Sequence, residues 1–151
     1  MEFTAQVVFW TAFFTMCFSQ FLKMVTICYR GRKLTPGAFF EMAGMPSSHT
    51  AAITSAMLGI YFAQGFSILF AVALLTWIYM VTEVLIHNWS ISRHAKIINE
   101  ILPFLKEIGH KPSKHNPLFQ KEMREDWGHT PLEIIGGFSL GLAITLIVYL
   151  L

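Results

Sequence analysis

PLEIIGGFSLGLAITLIVYLL, residues 131–151, is an apolar run of 21 residues carrying a single charge, Glu133. As a helix it reaches about 30 Å, the thickness of a bilayer's hydrocarbon core. Reading outward from it, three more segments share its character. Phe3 to about Cys28 is long enough to span despite Gln6, Gln20 and Lys23, and Met45 to about Ala63 is rich in Ala, Ser, Thr and Gly. Phe66 to about Asn88 follows after the short turn Gln64-Gly65, which makes the second and third spans antiparallel neighbours. Small residues permit close helix contact, so the second span is expected at the centre. The expected fold is all-α: one membrane-embedded domain over residues 1–151 with four transmembrane helices (about 3–28, 45–63, 66–88 and 131–151). A cytoplasmic loop and helix fill 89–130, where Ser92 to Lys106 sets Ile97, Ile98, Ile101, Leu102 and Leu105 on one stripe of a short interfacial helix.

Composition agrees with a bilayer setting. Hydrophobic residues make up 54% and charged residues 13%, against roughly 45–50% and 25% in soluble domains. All eleven Lys and Arg lie between Lys23 and Arg124, on the side of the loops after spans one and three. By the positive-inside rule that side is cytoplasmic, both termini face out, and the expected location is the cell's inner membrane. No basic arm or Cys/His spacing supports nucleic-acid or metal binding. Cys17 and Cys28 are separated by about 16 Å of helix, beyond disulfide reach, and read as packing residues.

Three stretches could carry chemistry. Gly44-Met45-Pro46-Ser47-Ser48-His49-Thr50-Ala51-Ala52 opens the second span with a tight entry, two candidate N-caps and a histidine in the first turn. Unpaired N–H groups and the dipole there favour an anion such as phosphate. Gly128-His129-Thr130-Pro131-Leu132-Glu133 opens the fourth span on the same face. His129 and Glu133, four apart, share a helix side, so the carboxylate could fix the imidazole's tautomer; Thr130-x-x-Glu133 reads equally as a capping box with Pro131 at the first helical position. Lys23-x6-Arg30 places two cations about two turns apart at the cytoplasmic end of span one. There Arg30 can grip phosphate oxygens in pairs and Lys23 supply a point charge; snorkelling is the alternative for Lys23. Glu83 and His87 form another pair four apart: the carboxylate either assists proton movement or pairs with Lys23 or Arg93, or both are hydrated interfacial groups.

Together, Lys-x6-Arg, Pro-Ser-x-His and a His followed four residues later by a carboxylate resemble the three-part signature of the type 2 phosphatidic acid phosphatase superfamily, which includes vanadium haloperoxidases. Gln20-x-x-Lys23, Gly44 to Ala51 and Gly128 to Glu133 resemble more closely its divergent branch of small bacterial and plastid membrane proteins. The likeness runs from about Ser19 to Gly141. It implies a metal-independent hydrolase of phospholipid metabolism, without a cofactor, in which His129 attacks phosphorus to form a phosphohistidine. Glu133, where the wider superfamily has Asp, orients His129, and His49 protonates the leaving oxygen. Lys23, Arg30, Ser47 and Ser48 hold the phosphoryl oxygens. Ser48 stands where that pattern has Gly, Gly31 where it has Pro, and Met123 where it has an Arg, so the further guanidinium is expected from Arg124 or Arg93.

The substrate expected is a lipid phosphomonoester or diphosphate of the phosphatidylglycerophosphate, phosphatidic acid or polyprenyl type. A homodimer could shield a bundle so small. The alternatives are a non-catalytic scaffold or regulator binding anionic lipid, which would not need His129, and a haloperoxidase-like enzyme holding vanadate.

Overall fold

The computed structural model describes residues 5–29, 44–107, 123 and 130–150, leaving aside the side chains of 87, 88 and 106. These form four helices: α1 (Ala5–Tyr29), α2 (Ser48–Gln64), α3 (Ile68–Glu107) and α4 (Pro131–Leu150). Among the described residues there is no strand. α1, α3 and α4 are long and apolar enough to cross a membrane. α2, at 17 residues, stands at the lower limit of spanning length and packs against all three others.

One boundary differs from expectation. The third span and the short interfacial helix are one continuous helix of 40 residues, about 60 Å long and twice the hydrocarbon thickness. Arg93 and Lys96 make its second half amphipathic without breaking it. Pro103 lies inside the helix; it lacks the N–H that would have met the Asn99 carbonyl, but only one turn remains to be built.

The packing inverts a soluble core. Buried side chains are mainly small or hydroxylated: Thr11, Thr15, Ser19, Ser47, Ser48, Thr50, Thr54, Ser55 and Thr145, with Ala51 among them. Phe9, Trp10, Phe13, Phe14, Phe18 and Phe21 of α1 point outward, as an apolar solvent permits. Cys17 and Cys28 are likewise exposed, so they do not pack between helices.

Close approach explains this choice. A Cβ on Gly141 would lie 2.5 Å from the Ala51 carbonyl oxygen and 3.0 Å from Thr54 Cβ, and one on Gly137 would collide with the Ser47 carbonyl. Gly137-x3-Gly141 thus lets α4 touch α2 backbone to backbone, the small-residue contact typical of helices in lipid. Hydroxyls bridge the remaining space. Thr15 Oγ1 and Thr145 Oγ1 lie within hydrogen-bond distance of Ser55 Oγ, at 3.3 and 3.0 Å, and each donates at 2.7 Å to a carbonyl of its own helix, Thr11 O and Gly141 O. α3 joins this seam through Trp77, whose indole N–H donates to Thr54 Oγ1 at 2.8 Å.

Candidate active site

The turn before α2 is gripped from two sides. Gly44 has φ 137°, a conformation that side chains disfavour, and a Cβ there would lie 3.0 Å from Lys23 Cγ and 3.1 Å from its Cδ. Glycine is needed here for backbone and for space, and the space it leaves holds the Lys23 stem. Met45–Pro46 is a cis peptide. Its flanking carbonyls accept hydrogen bonds from α1: Thr26 Oγ1 donates to Met45 O at 3.0 Å and Ser19 Oγ to Pro46 O at 3.4 Å. Ser19, Lys23 and Thr26, spaced four and three apart, use one face of α1 to seat the turn.

From the other side, Ser47 N–H donates to the Glu133 carbonyl at 3.0 Å. Ser47 is also the N-cap of α2, its Oγ accepting from Thr50 N at 3.4 Å and from Thr50 Oγ1 at 3.0 Å. Ser47 and Ser48 are buried, whereas His49, one position further, is exposed. His49 lines a small cleft with Thr50 and Ile53 of α2 and Met80, Val81 and Val84 of α3.

At the start of α4 the capping box is realised. Thr130 N–H donates to Glu133 Oε2 and Glu133 N–H to Thr130 Oγ1, both at 3.3 Å. That satisfies helix-terminal donors in both directions. A carboxylate offers about four lone-pair positions, so the cap does not exhaust Glu133 as an acceptor.

Lys23, Ser47, Ser48, His49 and Glu133 therefore belong to one end of the bundle, contributed by α1, α2 and α4. Lys23 is 1% exposed, which rules out a snorkelling side chain ending in water; it is the one buried charge among the described residues. Arg30, Arg124 and His129 lie outside the described residues; His129 directly precedes Thr130 in the chain. Arg93 sits on α3 nine residues beyond Val84, about 14 Å further along the helix, with its guanidinium 4.6 Å above the Trp89 ring. Glu83 is exposed, so it does not enter the buried cluster with Lys23, and the His87 side chain lies outside the described set. Sequence reasoning missed Ser19, Thr26 and Gly137, although the one-face spacing of the first two with Lys23 and the G-x3-G pattern of α4 were available signals.

The chain is 29% identical over 135 residues to the uncharacterized membrane protein YuiD of Bacillus subtilis (strain 168), a match covering 86% of this chain and 85% of that one. No solved structure matches the chain. The family described as the Divergent PAP2 family matches residues 4–144, and the multi-pass membrane protein built around the Gly44–His49 turn and the start of α4 belongs to it.

Proposed function

We propose that this protein is a membrane lipid phosphatase acting at the cytoplasmic face, with both termini outside. The observation that carries this reading is the buried Lys23 ammonium stem packed on Gly44, beside a capped helix start and bonded through Ser47 N–H to the first turn of α4. A buried lysine in a bilayer costs about 2.5–3.5 kcal/mol, a cost offset where it meets an anion. A helix N-terminus beside it adds a second attraction for an anion.

The chemistry then runs in two balanced steps. A ring nitrogen of His129 attacks phosphorus; the bond from phosphorus to the lipid oxygen breaks, and His49 delivers a proton to that oxygen. Water next attacks the phosphohistidine, giving its proton to His49 as the phosphorus–nitrogen bond breaks and inorganic phosphate leaves. Glu133 holds the tautomer of His129. Lys23, Arg30, Ser47 and Ser48 hold the non-bridging oxygens, with Arg124 or Arg93 as a further cation. Charge fixed in advance at the transition state supplies most of such a rate enhancement. A site at headgroup depth favours a phosphate whose tail remains in the bilayer, such as phosphatidylglycerophosphate, phosphatidic acid or a polyprenyl diphosphate.

The test is phosphate release by the purified full-length protein from these three lipids, with and without orthovanadate. Turnover of at least one, inhibited by vanadate, is the expected result. Release from none, with tight binding of anionic lipid retained, would replace this reading by the non-catalytic scaffold.

A further inference from the structure

Gln20 carries a polar group that the fold leaves unused. Its Oε1 is buried and has no hydrogen-bond partner among the described residues. The hydroxyls beside it on α1 are satisfied: Ser19 Oγ donates to Pro46 O and Thr15 Oγ1 to Thr11 O. A buried acceptor without a donor is unfavourable, and folded chains rarely keep one without a use. An apolar side chain of similar size would escape that cost, so stability alone gives no reason for a glutamine here.

Its place on α1 says what kind of donor would meet it. Gln20 and Lys23 are three residues apart, neighbours on the helix surface. Long side chains on a helix lean toward its N-terminus, so the Lys23 stem, buried against the Gly44 turn, runs over the turn that carries Ser19 and Gln20. On the proposed reading Lys23 faces ionised phosphoryl oxygens, which only accept. An amide oxygen also only accepts, so it pairs with none of them, and its donor is a hydroxyl elsewhere on the substrate. Of the three lipids named above, phosphatidic acid and polyprenyl diphosphate have no hydroxyl outside the phosphate groups, whereas phosphatidylglycerophosphate has one on its headgroup glycerol, beside the terminal phosphate. With the acyl chains in the bilayer, that glycerol lies on the bilayer side of the reacting phosphate. Gln20, about 4.5 Å further than Lys23 from the C-terminal end of α1, lies on the same side. We propose that Gln20 is a specificity-determining residue: its carboxamide oxygen accepts from a headgroup hydroxyl and selects a glycerophosphate headgroup over a bare lipid phosphate. Selection in turnover rests on the phosphatase reading, whereas selection in binding does not.

The probes are the dioctanoyl forms of phosphatidylglycerophosphate and phosphatidic acid, offered to the purified full-length protein in detergent. A site that hydrogen-bonds a hydroxyl rejects the analogue lacking it, so the wild type is expected to favour the first at least ten-fold in kcat/KM. Gln20→Leu should bring the ratio to within two-fold of one, by loss on phosphatidylglycerophosphate alone and with no lower melting temperature. Gln20→Met, which matches glutamine in length, should do the same. A wild type without the preference, a preference that survives in both variants, or an equal loss on both lipids would overturn the role of Gln20 and leave the phosphatase standing. A wild type that releases phosphate from neither lipid would overturn the functional reading. The affinities of the same two probes, measured by titration calorimetry in wild type and Gln20→Leu, then decide on Gln20: a ten-fold preference lost in the variant sustains it, and equal affinities in the wild type overturn it.

Discussion

The seam between α1, α2 and α4 and the long flank of α3 are made of opposite materials. α2 buries seven of its 17 residues, nearly all small or hydroxylated, while α3 buries only Phe70 and Ala95 among its described side chains over 40 residues. In water this would be inside out. In lipid an exposed Leu75 or Ile78 loses nothing, so burial goes where backbones approach closely and hydroxyls can pair. The contrast teaches where a buried charge can be placed: Lys23 ends the column Thr11, Thr15, Ser19, Lys23 on the seam side of α1, at the end where the Gly44 turn and the start of α4 meet it.

Lys23→Met tests that placement with the largest expected effect. If the seam holds the lysine for an anion, turnover falls by about 100-fold, near 2.7 kcal/mol of transition-state stabilisation. Lost stability with unchanged turnover would make Lys23 a packing residue like its neighbours on the column.

Adjacent glycines sharpen the same comparison at the next level. Gly137→Ala drives a methyl into the Ser47 carbonyl and is expected to destabilise by about 1–3 kcal/mol. A Cβ on Gly136 meets the flexible end of Met45, 3.2 Å away, and the gain in helix propensity of about 1 kcal/mol leaves Gly136→Ala neutral or slightly stabilising. Thermal melts in detergent that rank the two variants the other way would contradict the backbone contact between α2 and α4.

Smallest is Ser55→Ala. It removes the oxygen shared by Thr15 and Thr145, but both hydroxyls retain a carbonyl of their own helix. The expected cost is about 0.6 kcal/mol, the average for hydrogen bonds between helices in a membrane. A loss above about 2 kcal/mol would mean that hydroxyl pairing, rather than closeness, holds the seam.

How much of this was legible in the sequence depended on the range of the interaction. Apolar length alone located four helices, and the small residues of α2 marked it as central. The capping role of Glu133 was readable because Thr130 lies three residues away. The continuity of α3 through Trp89–Ser92 was not, since a change from apolar to amphipathic composition looks like a helix boundary although no breaker stands there. Arg93 over Trp89 is an ordinary four-residue pair on a helix and could have been anticipated; its distance from the level of His49 could not. Nor could the pairing of Asn99 with Met123, because a side chain that grips backbone leaves no pattern across 24 residues. Residues 30, 124 and 129 stay expectations of sequence.

The central claim, that the seam's polar end performs phosphoryl transfer through histidine, meets its most direct test in rapid acid-free quenching of the enzyme with a lipid phosphate labelled on phosphorus. The predicted result is a covalent label that is stable to base, labile to acid, confined to the peptide containing residue 129, and absent together with turnover in His129→Ala. Full turnover in His129→Ala, or a label that persists on another residue, would contradict it.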